Sequence, residues 1–222
     1  HSNFPVREVD LGRLTHMTKD PSVDTLIESA RILQEEVPIR ISRRIVALEG
    51  LPSQMLSHPS IHKLKQKLIQ TFAKLKDASP VVDVASEREY MILQQSVRDE
   101  HADMYNLLVD ALIASGENAE NSTVTDIIDS FYTSRIGLRM LIDHHNAIKR
   151  QLSSDSDIVG IIDDKLNPLE AIEDMIEDVR SCCESNFGVS PKILLDGSDK
   201  EFQFSYVRDH VERIMYAILL NA

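Results

Sequence analysis

The segment from Thr123 to Arg150 constrains this chain more than any other. It holds no proline and only one glycine, Gly137. Apolar residues recur in steps of three and four: Val124, Ile127, Ile128, Phe131, Leu138, Leu141, Ile142 and Ile148. That spacing predicts one long helix with a buried face. Ser134 and Arg135 fall in the middle of the face, where the period asks for apolar residues, and Arg139 follows one turn later. A guanidinium on a core stripe needs an acidic partner, a cage of carbonyls or a bound anion.

Other helices follow from the same period. Ser22 or Asp24 can cap a helix whose stripe reads Leu26, Ala30, Leu33, Val37, Ile41, Ile45, Leu48. Pro38 interrupts it, so a kink or break is expected near Val37. Gly50-Leu-Pro52 ends it. A second helix is expected from about Pro59 to Asp77, with Ile61, Leu64, Leu68, Ile69, Phe72 and Leu75 inward. A third runs from about Ala85 to Ser115 on Tyr90, Leu93, Val97, His101, Met104, Leu108 and Ala111. His101 is again polar in a core register, and Arg98 can reach the same side. With the opening segment these make four long antiparallel helices in one bundle.

The pattern changes after Arg150. Ser153 to Asp164 is polar and acidic, as in an exposed connector. Asn167-Pro168 caps a further helix on Leu169, Ile172, Met175, Ile176 and Val179, which ends at Phe187-Gly188. Lys192 to Gly197 and Glu201 to Val207 are expected to pair as short strands around Gly197. A last helix begins near Arg208. Strands therefore appear only in the final quarter, in keeping with just seven glycines. The fold class is mainly α, with the start of an α/β domain that the sequence does not complete.

Charge narrows the function classes. Lys and Arg total 24 against 36 Asp and Glu, a net charge of -12. That balance argues against a nucleic-acid binder. The basic run His62 to Lys67 reads as a solvated helix face. Cys182 and Cys183 are adjacent, so they supply no disulfide framework, and a reducing compartment is expected. No apolar run reaches the roughly 18 residues of a membrane span. No signal or transit peptide is visible, and a start at His1 is compatible with a leader removed or left out.

Three constellations could carry chemistry. Arg98, His101, Ser134, Arg135 and Arg139 can face one another if the third and fourth long helices are neighbours. They would then hold a small carboxylate in bidentate fashion, or pair internally with Asp99, Glu100, Asp129 or Asp143. Asp143-His144-His145 reads as one surface and one core histidine rather than a metal site. The acidic series Glu170, Glu173, Asp174, Glu177, Asp178 lacks the Glu-x-x-His partners of a di-metal bundle and reads as a solvated face.

The motif Phe131-Tyr-x-Ser-Arg-Ile-x-x-Arg-Met-Leu-Ile-x-x-His145 resembles the mitochondrial 2-oxoacid dehydrogenase kinases. These comprise the pyruvate dehydrogenase kinases and the branched-chain 2-oxoacid dehydrogenase kinase. Glu36-Val-Pro-Ile-Arg40, Gly50-Leu-Pro52, Arg98-x-x-His101 and Asp174 to Glu184 are similar to further family segments in the same order. The resemblance implies a regulatory helical bundle over 1–150. Over 151–222 it implies the N-terminal part of a GHKL-type ATPase domain, the type shared by gyrase and histidine kinases. It further implies a matrix protein that phosphorylates serines on the E1 component of a dehydrogenase complex, using ATP and magnesium. Such kinases dock on E2 lipoyl domains and dimerise largely through the ATPase domain. It also implies a 2-oxoacid pocket at Arg98, His101, Ser134, Arg135, Leu138 and Arg139.

The sequence departs from the family at Tyr216 to Ala222. Asn221 matches the family's magnesium ligand, but its catalytic glutamate is replaced by Ala217 and its lysine by Leu220. The glycine-rich nucleotide boxes are not in this sequence. Tight ATP binding is therefore not expected, and phosphoryl transfer without that carboxylate should be slow. Two readings stay open: an impaired kinase, or a degenerate relative acting as a scaffold in a mitochondrial assembly.

Overall fold

The computed structural model describes residues 21–116, 121–153, 161–195 and 202–221, with isolated positions at 12, 14 and 17. Most of residues 1–20, residues 117–120, part of the acidic connector and the expected turn at Gly197 lie outside them. The chain is mainly helical. Pro21–Leu152 falls in one compact unit and Ser153–Ala222 in another.

In the first unit the helices are α1 (Val23–Leu48), α2 (Ser53–Leu56), α3 (Pro59–Lys76), α4 (Val84–Glu100), α5 (Met104–Ser115) and α6 (Ser122–Ser153). Local chemistry sets their starts. Ser22 Oγ accepts the Thr25 amide at 3.1 Å to cap α1. At α4 a capping box forms: the Ser86 amide donates to Asp83 Oδ1 at 2.8 Å and the Asp83 amide to Ser86 Oγ at 3.0 Å.

The helix α1 packs on α3 and α4, and α5 packs on α3. Their stripes meet in one core of Leu33, Val37, Ile41, Leu48, Leu64, Leu68, Tyr90, Val97, Leu108 and Phe131. Each fully buried Leu or Ile stabilises this arrangement by about 1.5–3 kcal/mol. That burial explains why α1 continues through Pro38, so that of the kink or break expected there the break does not occur. Pro38 sits inside a continuous helix and is itself buried. The missing amide bond costs about 3 kcal/mol, and the core stripe on both sides of it offsets the loss. Glu36 and Arg40, one turn apart across the proline, approach to 3.7 Å with both side chains buried.

The expected helix from Ala85 to Ser115 is two helices. His101 is the C-cap of α4 at φ -95°, ψ 5°, and α5 restarts at Met104. Two lysines of α3 meet the chain at the break. Lys63 and Lys67 both bond Asp103, the residue just before α5.

In the second unit β1 (Ile162–Leu166) and β2 (Phe204–Val207) form an antiparallel pair flanked by α7 (Pro168–Phe187) and α8 (Arg208–Asn221). Of the strand expected over Glu201 to Val207, Phe204–Val207 is a strand, and its partner is Ile162–Leu166 rather than the expected Lys192 to Gly197. Residues 192–195 carry no strand, and 162–164 belong to β1 instead of a connector. Asn167 caps α7 by accepting the Leu169 amide at 2.9 Å, and Gly188 ends it in the left-handed region at φ 71°. Arg208 ties β1, α7 and α8 together through Asp163 at 3.5 Å, Asp174 at 3.3 Å and Glu212 at 3.7 Å.

Candidate anion site

The core register of α6 places Phe131 inward and brings Ser134 beside it to the surface of α1. There Arg44 donates from Nε to Ser134 Oγ at 3.2 Å. The guanidinium carbon of Arg44 lies 5.9 Å from the Phe131 ring centre. Arg44 is only 7% exposed, and its Nη2 has no hydrogen-bond partner. Among the described residues no carboxylate forms an ion pair with it. Burial lowers its pKa from the usual arginine value; Tyr105 opposes this, and the like charges of Arg135 and Arg40 reinforce it.

One residue along α6, Arg135 is exposed. Its guanidinium stacks 4.3 Å over the Tyr105 ring. Tyr105 in turn stacks on Tyr132 at 4.9 Å and 27°. His101, at the break between α4 and α5, shares a 2.7 Å hydrogen bond between its Nε2 and Thr71 Oγ1. Burial, followed by the positive charge of Arg44, pushes its pKa down to about 4, with Glu100 partly offsetting. His101 is therefore a neutral hydrogen-bonding group at pH 7.

Thus Ser134, Arg135 and His101 gather around Arg44 and Tyr105. Leu138 is half-buried against the core below them. The remaining two residues of the expected set stand apart. Arg139 pairs with Asp143 at 3.4 Å on the same helix, both about two-fifths exposed, which is the internal-pair reading. Arg98 is exposed in the last turn of α4.

Sequence reasoning missed Arg44, Thr71 and Tyr105. Arg44 did carry a signal: it lies three residues after Ile41 and four before Leu48, in the apolar register of α1.

Both histidines of Asp143-His144-His145 are buried, which corrects the expectation of one at the surface. A long helix enclosed on several sides buries more than one stripe. His145 Nδ1 lies 2.7 Å from Ser29 Oγ and its Nε2 2.9 Å from Glu87 Oε1, and Lys149 Nζ lies 2.9 Å from the same oxygen. This joins α1, α4 and α6. Neither ring nitrogen of His144 has a partner, and burial, with His145 beside it, pushes its pKa down to about 4.

The basic run on α3 is a solvated face whose lysines pair with Glu49 and Asp103. The acidic series on α7 is exposed, and no group of metal-ligating side chains gathers among the described residues. No helix among them is long and apolar enough to cross a membrane.

On α8, Ala217 and Asn221 are exposed, and Asn221 Nδ2 donates to the Ala217 carbonyl at 2.8 Å. Magnesium is held through oxygens, often one or two carboxylates with substrate phosphates and waters; at this position the side chains offer one amide oxygen and a methyl group.

The cluster sets the Arg44 and Arg135 guanidiniums beside Phe131 and Tyr105 on neighbouring helices. Residues 8–163 match the family described as mitochondrial branched-chain alpha-ketoacid dehydrogenase kinase. That is well over half of the chain, and the chain belongs to this family. It is 29% identical over 217 residues to a mitochondrial pyruvate dehydrogenase (acetyl-transferring) kinase of Arabidopsis thaliana, covering 96% of this chain and 59% of the relative. With the human mitochondrial isozymes 3 and 1 identity is 24% and 26%, over 87% of this chain and 51% and 48% of theirs. The chain therefore spans about half of the length of the curated relatives it matches. The relatives are named mitochondrial, and this member of the family is a mitochondrial protein.

Proposed function

We propose that this chain is the anion-sensing part of a protein serine kinase that acts in the mitochondrial matrix on the E1 component of a 2-oxoacid dehydrogenase complex. Residues 1–150 form a regulatory four-helix bundle, and 151–222 begin a GHKL-type ATPase domain. The protein docks on E2 lipoyl domains. A small 2-oxoacid binds at Ser134, Arg135 and His101, beside Leu138, whereas Arg98 and Arg139, expected in the same pocket, take no part. The observation that carries this reading is the grouping of Arg44 and Arg135, a local excess of positive charge in a chain of net charge -12, beside the neutral hydrogen-bonding groups Ser134 and His101. The relatives' printed activity on pyruvate dehydrogenase supports the choice of substrate.

ATP and magnesium are the cofactors of such a kinase. Ala217 in place of the catalytic glutamate predicts slow phosphoryl transfer, because no carboxylate is there to take the proton of the attacking serine. The alternative, a degenerate relative serving as a scaffold, is favoured by that same position and by the inward bond of Asn221.

A kinase assay of the full-length protein on an E1 component separates the two. Measurable transfer that disappears in Asn221→Ala supports the kinase. No transfer, with E2 lipoyl-domain binding retained, supports the scaffold.

A further inference from the structure

Arg44 lies outside the residues that helix spacing or family motifs place in the anion site, yet it is the group in this cluster whose charge is least well compensated. Its side chain is almost wholly enclosed. It meets one serine hydroxyl at 3.2 Å and one aromatic face at 5.9 Å, and its Nη2 is left without a partner. Among the described residues, no carboxylate pairs with it. A hydroxyl and a ring quadrupole do not neutralise a buried guanidinium, and an uncompensated buried charge is strongly unfavourable. Two more cations, Arg135 and Arg40, reach it electrostatically. The site is therefore short of negative charge, and the shortfall is centred on Arg44 rather than on α6.

We propose that Arg44 is the buried anchor of the bound anion: a carboxylate of a small organic acid accepts from Arg44 Nη2, while Arg135 closes the site from the solvent side. The inference rests on the anion-site reading above and adds a ligand-binding residue from α1. The unmet Nη2 donor of a buried guanidinium calls for an acceptor that carries negative charge. A guanidinium presents a planar fork that an ammonium does not reproduce. Arg44→Lys should therefore bind the anion much more weakly than the native protein.

The test uses thermal melts of the native chain, Arg44→Met, Arg44→Lys and Arg135→Ala, at low chloride, with and without dichloroacetate as the probe. At tenfold excess over its dissociation constant the ligand raises the native midpoint by about 3–6 °C. Arg44→Met keeps the volume and removes the unpaired charge. Its ligand-free midpoint rises above native, and its ligand shift is lost. A ligand shift of native size in Arg44→Met, with the shift lost in Arg135→Ala, overturns the role of Arg44 while leaving the anion site standing. No shift in the native protein overturns the anion site itself. If Arg44→Met does not fold, Arg44→Lys carries the test, and a native-size shift there rejects the forked contact.

Discussion

His144 offers a prediction that runs against the usual expectation for a core substitution. Its ring is 2% exposed, both nitrogens lack partners, and its pKa is pushed down to about 4. Unfolded histidine titrates near 6.5. The folded-state value is depressed, so the native protein is unaffected above pH 6.5. It loses stability as pH falls from 6.5 toward 4, because only the unfolded chain takes up the proton. At pH 5, 1.5 units below the unfolded value, the loss assignable to His144 is about 2 kcal/mol. His144→Leu removes this loss. It also removes an unsatisfied buried ring, whose desolvation costs about 1–3 kcal/mol, against a repacking cost below about 1.5 kcal/mol.

The variant should therefore equal or exceed the native protein in stability at pH 7.5 and exceed it by about 2 kcal/mol more at pH 5. Urea denaturation at the two pH values measures both quantities. A variant that is less stable at pH 7.5 by 2 kcal/mol or more, with an unchanged acid dependence, would refute the reasoning. It would mean that the ring is partnered and that its titration does not govern acid stability.

Further predictions follow from the same contacts. Glu87 is fully enclosed and accepts from His145 and from the half-exposed Lys149, so Glu87→Ala should cost about 1–3 kcal/mol by leaving the buried His145 ring without its partner, whereas Glu87→Gln keeps one acceptor oxygen and costs less; chemical denaturation distinguishes them. Asp83→Ala removes the capping box of α4 and should lower stability by about 1 kcal/mol in the same assay. The pKa of His101, already down to about 4, should rise in Arg44→Met as a positive neighbour is removed, and its imidazole proton resonances followed against pH report the shift.

How much of this was legible beforehand depends on whether local chemistry or packing made the choice. The caps at Ser22 and Asn167 and the stop at Gly188 are local, and the sequence carries them openly. Pro38 was misleading because its penalty is local while the burial of Leu33, Val37 and Ile41 that outweighs it is not. The break at His101 was hidden because the apolar stripe stays nearly in phase from Val97 to Met104. The contacts at the break, from Lys63 and Lys67 to Asp103, come from another helix.

β1 was missed because the bulge between Asp163 and Leu166 spoils the alternation by which a strand is recognised, leaving Asp-Asp-Lys between Ile162 and Leu166. In the anion site the motif on α6 was readable as a conflict between residue and register. Arg44 showed the same conflict on α1, but there it was passed over in favour of the apolar residues around it. The pairing of Arg139 with Asp143 instead of a ligand is a choice between two chemically equal partners, which spacing alone does not decide.

The central claim is that this bundle binds a small 2-oxoacid through Ser134, Arg135 and His101. The most direct measurement is calorimetric titration of pyruvate into the native protein and into Arg135→Ala at low chloride. Saturable binding at one site per chain, abolished or weakened at least tenfold in Arg135→Ala, is the predicted result. Absence of saturable binding up to about ten millimolar, a range in which even a millimolar dissociation constant is measurable, would contradict it. Arg44 would then be a buried cation held by packing alone.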